Sequence, residues 1–153
     1  MAVSGKVYAN SVVGQFGGAG NGTSQAARRV DVLSDTLKVM LCTSSYTPAQ
    51  TTHVYKSDIT NEVSGTGYTA GGATLGSVTC TKSSLVCSVL DAADTSWTTS
   101  TITARYAVIY KDTGSAATSP LLGYVDFGAD ATSTAGTFTI TWDSTGILVY
   151  TVA

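Results

Sequence analysis

His53 is the single histidine of the 153-residue chain, so a serine or cysteine nucleophile would have to find its general base in the polar stretch QTTHVYK. Such a nucleophile needs the base held against it and a third group to orient that base. No G-x-S-x-G elbow presents a serine in this way, and His53 reads as an exposed loop residue. Two pairs of acids stand close enough in sequence for acid–base work, Asp58 with Glu62 in DITNE and Asp91 with Asp94 in DAAD. Carboxylate pairs cleave glycosides across a cleft furnished for a sugar, and neither pair lies among aromatic platforms. The second pair reads instead as stabilising a turn before Trp97, since aspartate bonds readily to nearby backbone.

Metal, redox and phosphate chemistry are no better signalled. Cys42, Cys80 and Cys87 are an odd number with no C-x-x-C pair, which predicts neither a zinc site nor a disulfide framework. Cys80 and Cys87 flank TKSSLV and would face each other only if that segment turns a hairpin. DAADTSW lacks the spacing of a calcium loop. GQFGGAG and SGTGYTAGG do not follow a strand and open a helix, so they form no phosphate cradle. The residues therefore predict no enzyme, no cofactor and no metal site.

Composition describes a scaffold. Hydrophobic residues make up 43% of the chain but charged ones only 12%, and 26 threonines with 18 serines fill the difference. β-Branched threonine favours strands. Glu62 is the only glutamate, so the residues that normally solubilise helix faces are scarce. A net charge of −2 offers nothing to a phosphate backbone, which dominates nucleic-acid affinity. No apolar run is long enough to span a membrane, and MAVSGKVYANSVVGQFGG has no secretory h-region, which predicts synthesis in the cytoplasm.

The strands can be read from their period of two. TLKVMLCT sets Leu37, Val39 and Leu41 on one face and Lys38, Met40 and Cys42 on the other, predicting a strand with one face fully buried. Further strands are expected at LGSVTCT, LVCSVL, TITARYAVIY, PLLGYVDF, GTFTITW and ILVYTV. TITARYAVIY sets Ile102, Ala104, Tyr106, Val108 and Tyr110 on one face, and KDTGSAATS joins it to PLLGYVDF as a hairpin. GTFTITW and ILVYTV, joined by Asp143 to Gly146, read as a second hairpin. The expected fold is all-β: an antiparallel sandwich, immunoglobulin-like or jelly-roll-like, of about seven or eight strands with long loops. Residues 1–31 are expected to form an N-terminal arm and glycine-rich connector, and residues 32–153 the sandwich domain.

The phrases KVMLCTSSYTP, TNEVSGTGYTAGGATL, TARYAVIYKDTG, PLLGYVDFG and FTITWDSTGIL resemble a recurrent family of small virion structural proteins of tailed bacteriophages. The resemblance runs from about Leu37 to the C-terminus. It implies a capsid decoration or cement protein, made in the host cytoplasm and located on the virion. Such a protein binds the major capsid protein or other virion proteins on the outer face of the head and stabilises the shell. A neck, tail or head-fibre component stays open as an alternative, as does a carbohydrate-binding module should Trp97, Trp142 or the loop tyrosines prove exposed on one concave face.

Contacts with partners, including further copies of the chain, are expected at aromatic anchors and cations. In the arm these are Tyr8 and Phe16, with Arg28 and Arg29 where it joins the domain. In the long polar loop they are Tyr46, Tyr55 and Tyr68.

Overall fold

The computed structural model describes residues 5–15 and 28–151. Among these, eight strands and one short α-helix form two antiparallel sheets. In chain order the elements are β1 (Lys6–Val7), α1 (Ala9–Gln15), β2 (Leu37–Cys42), β3 (Ala73–Thr74), β4 (Thr79–Ser83), β5 (Val86–Asp91), β6 (Thr95–Lys111), β7 (Leu121–Ile140) and β8 (Leu148–Thr151). The larger sheet runs β1-β7-β6-β2-β3 and the smaller β4-β5-β8, a sandwich-like all-β architecture as the composition predicts.

β2 departs from the one-sided burial its alternation suggests. Leu37, Val39 and Leu41 enter the core between the sheets with Ile109, Leu122, Val125, Leu90 and Leu148. Met40 and Cys42, on the opposite face, are also buried, in a second core with Tyr8, Tyr46, Val108, Tyr110, Leu121 and Tyr124. The middle of the larger sheet is thus covered on both faces. Fully burying a side chain of this size stabilises by about 1.5–3 kcal/mol.

β6 and β7 form one long hairpin, in which the register slips between Ala104 and Tyr106. That irregularity breaks the single face read from TITARYAVIY. Ile102 and Ala104 share the inter-sheet core with Ala107 and Ile109, whereas Val108 and Tyr110 lie in the other core with Tyr106 packed against it. Between these pairs β6 places one residue and β7 four, and an irregularity of this kind, like a bulge, changes which face the side chains beyond it occupy.

The expected second hairpin is corrected. Phe138 pairs with Trp97 and Ile140 with Thr95, so GTFTITW continues β7. β8 pairs with β5 in the other sheet, Leu148 opposite Leu90. The turn after β7 carries the chain across the sandwich, with the Gly146 N–H donating to the Asp143 carbonyl and the Ile147 N–H to the Leu90 carbonyl. Trp142 fixes this crossing: its N–H donates to Asp94 Oδ1 and its Nε1 to the Ala93 carbonyl, both at 3.1 Å. TKSSLV does turn a hairpin, but Lys82 stands opposite Cys87 and Cys80 falls at a register shift. Both thiols are free.

Residues 5–15, read as part of an arm, lie against the domain. Lys6 and Val7 pair with Tyr124 and Gly123 of β7, and Tyr8 is fully buried. Phe16 falls outside the described residues.

Where β3 joins β2 the backbones approach so closely that a Cβ on Gly72 would lie 1.9 Å from the Val39 carbonyl oxygen, at a φ of +74°. Gly72→Ala should lower stability by more than about 1 kcal/mol, read as a reduced urea midpoint. An unchanged midpoint would contradict this packing.

Candidate interaction surface

The segment from Thr43 to Gly72 is the long polar loop of the sequence. The structure lays its first part, with Tyr46 and Ile59, on the second face of the larger sheet, and packs its later part, with Val63 and Tyr68, against the core between the sheets; tyrosines and two carboxylates hold it.

Tyr46 is 1% exposed. Its hydroxyl lies 2.8 Å from the hydroxyl of Tyr8 and 3.0 Å from Nδ1 of His53. The His53 ring stacks on Tyr46 at 5.8 Å between centroids, and Tyr106 meets Tyr46 edge-on at 5.7 Å. Tyr124 packs beside Tyr8 at 5.5 Å. The histidine expected to be exposed is thus half-buried, the end of a Tyr8–Tyr46–His53 hydrogen-bonded row. Aromatic pairs of this geometry add about 0.5–1.5 kcal/mol beyond the area they bury.

Tyr68 holds the far end of the loop. Its hydroxyl accepts from the Leu41 N–H at 3.0 Å and donates to Glu62 Oε1 at 2.8 Å, while its ring lies 6.0 Å from that of Trp97. The same Glu62 oxygen accepts from the Gly71 N–H, and the Tyr110 hydroxyl donates to the Gly71 carbonyl at 2.7 Å. Asp58 Oδ2 accepts from the N–H groups of Val54 and Tyr55 at 2.7 and 2.9 Å. The pair considered for acid–base chemistry is therefore spent on the loop's own backbone, as buried polar groups require. Asp91 Oδ1 likewise accepts from the Ala92 N–H, and Asp94 holds Trp142.

The residues put forward for partner contact are consequently divided. Tyr8, Tyr46 and Arg28 are at most 1% exposed, and Tyr68 is half-buried by its own chain. Arg28 packs beneath α1, its Cβ within 3.1 Å of where a Cβ on Gly14 would lie. Tyr55 is half-buried, its backbone bridged to Pro120. Arg29 is exposed, and its carbonyl accepts from Lys111 Nζ at 3.1 Å. The buried tyrosines fix the loop that carries Tyr55. Sequence reasoning missed the roles of His53 and Glu62. Its available signal was that a lone histidine and a lone glutamate stand within a tyrosine-rich loop.

The exposed surface is largely hydroxyl. On the outer side of the β6–β7 hairpin, Ser96 bonds Thr139 at 3.0 Å and Thr103 bonds Thr132 at 3.2 Å, hydroxyl to hydroxyl. Its one ion pair there joins Arg105 to Asp126, which holds the Asp126 carboxyl below its ordinary range. Among the described residues no group of three or more histidine, cysteine or acidic side chains is arranged to hold a metal ion, and no helix is long and apolar enough to cross a membrane.

Burial raises the hydroxyl pKa of Tyr8, Tyr68 and Tyr110 and pushes Tyr46 up to about 12. An unfolded chain ionises these tyrosines near 10. Their contribution to stability is therefore fully present below pH 10 and is lost as pH rises towards 12. Tyrosinate absorbance should show these four resisting ionisation at pH 11 until the fold is lost in a cooperative step. Reversible ionisation of all eight tyrosines near pH 10 with the circular dichroism intact would contradict their burial.

Comparison of the chain with protein-family models, with curated proteins and with solved structures returned no match.

Proposed function

We propose that this protein is a non-enzymatic structural component of a tailed-phage virion, and that it decorates the outer face of the head by binding the capsid protein. The observation that carries the reading is the resemblance of five sequence phrases to such proteins. Its physical support is that those phrases build one continuous scaffold. KVMLC is β2, whose two faces fill both cores; TNEVSGTGYTAGG is the loop stapled by Glu62 and Tyr68; TARYAVIY and PLLGYVDF are the paired halves of the β6–β7 hairpin. The histidine and the acids that might have done chemistry are engaged in holding this scaffold.

The surface suits adhesion to a repeated protein lattice. Hydroxyl-rich, weakly charged faces form broad hydrogen-bonded interfaces without desolvating many charges. Copies that bind a symmetric shell side by side hold it through many weak contacts at once. A neck, tail or head-fibre station would use the same surface. The carbohydrate-binding alternative is less well supported, because Trp97 and Trp142 are 6% and 5% exposed and offer no stacking platform to a sugar.

Phage particles that lack the protein should assemble yet release their DNA at a lower temperature, and adding the purified protein should restore the wild-type release temperature. Particles of unchanged heat stability, or stripped heads that fail to rebind the protein, would reject head decoration.

A further inference from the structure

A sheet edge is a row of unpaired N–H and C=O groups, and proteins blunt such edges with very short strands, lysine, bulges or a covering loop. This fold blunts nearly all of its edges. β1 and β3, the margins of the larger sheet, are two residues each. β4, at the margin of the smaller sheet, carries Lys82, and β8 opposite it is four residues long.

The distal half of the β6–β7 hairpin is treated unequally on its two sides. β2 pairs with β6 only from Tyr106 to Lys111, which leaves the β6 edge uncovered from Thr95 onward. The SGTG loop closes part of it: the Thr101 N–H donates to the Thr66 carbonyl at 3.0 Å. Gly65 lies so close that a Cβ there would sit 2.2 Å from the Thr101 carbonyl oxygen. On the other side, β1 reaches β7 only at Gly123 and Tyr124. Among the described residues, the backbone of β7 from Phe127 to Ile140 finds no strand or loop backbone partner other than β6.

This free edge also lacks charge. Between Asp130 and Asp143 the sequence ATSTAGTFTITW contains no ionisable side chain and no proline. Register shifts flank Gly136 on both sides, the earlier one at Ala135 with φ +47°, and the pairing is then regular from Phe138 to Ile140, with Phe138, Thr139 and Ile140 facing Trp97, Ser96 and Thr95 in order. Thr137 and Thr139 are exposed, while Phe138 and Ile140 point into the core.

We propose that this edge of β7 is a self-association surface, at which a second copy of the chain adds its own β7 antiparallel to form a continuous β6-β7-β7-β6 sheet across a twofold axis. The occupant follows from charge and register. Pairing centred on Phe138 sets Thr137 opposite Thr139 and Gly136 opposite Ile140 of the second copy, and because the strand from Ala131 to Ile140 carries no ionisable side chain, no acid meets an acid within the paired stretch. Opposed threonines are a favourable cross-strand pair, whereas like charges placed directly opposite are destabilising. The strand is thus complementary to itself. This interface needs no shell and is independent of the virion reading.

The test is sedimentation equilibrium on the full chain and on a Thr137→Lys, Thr139→Lys double variant, which sets lysine opposite lysine at the interface. Both positions are exposed, so the variant should keep the wild-type melting temperature. The wild type should sediment as a dimer and the variant as a monomer, with dimer affinity reduced at least tenfold. Amide exchange on the wild type supplies a readout that needs no variant: protection of residues 136–141 should fall on dilution, while that of β2 stays constant. A wild type that remains monomeric at high concentration, a variant that dimerises as well as the wild type, or protection of 136–141 that is independent of dilution would each overturn the proposal.

Discussion

The middle of the larger sheet is buried on both faces, and that constraint organises the rest of the molecule. An antiparallel sheet with one wet face needs only one packing partner. Here Leu37, Val39 and Leu41 point to one core and Met40 and Cys42 to another, so something must cover the second face. The cover is a loop, and a loop laid on a sheet brings backbone polar groups that lose water and must be paired. The chain meets this requirement with a small set of side chains. Asp58 takes two N–H groups, Glu62 takes one together with the Tyr68 hydroxyl, and Tyr110 supplies the Gly71 carbonyl with a donor. Burial has a cost that is visible in titration: the Cys42 thiol is pushed up to about 12, first by desolvation and then by the Glu62 charge. The few charges in this protein are thus largely committed to its own architecture, which leaves hydroxyls to make up the surface.

Much of this could be read from residue order. The period of two in β2 and the turn chemistry of KDTGSAATS located the central hairpin, and the shortage of helix formers excluded an α/β sheet. Three features resisted. The register slip after Ala104 reverses which residues share a face, and alternation counts cannot see an inserted residue. Gly128, at φ +80°, looked like the end of a strand, but it lies within one 20-residue strand. The partner of β8 depends on where the Asp143–Gly146 turn aims the chain, and that aim is set by Trp142 and Asp94, 48 residues apart. The site was legible only in part. Clustered tyrosines marked the right loop, yet whether an aromatic faces a partner or its own sheet depends on long-range packing. Tyr8 and Tyr46 meet across 38 residues, and no local pattern announces such a contact.

The two functional readings rest on different parts of the molecule. Head decoration draws on the sequence phrases that build β2, the stapled loop and the β6–β7 hairpin, and on a surface suited to weak, repeated contacts. The self-association proposal draws on the edge of β7, which no described backbone beyond β6 covers, and does not depend on what else the protein binds. The two combine naturally, since a dimer doubles the contacts each unit makes with a symmetric lattice and multivalent attachment is far stronger than either contact alone. For the proposed virion role, the deciding measurement is quantitative mass spectrometry of purified tailed-phage particles assembled in cells that make this chain. Decoration of the head predicts a copy number comparable to that of the capsid protein, and absence of the chain from those particles would contradict it.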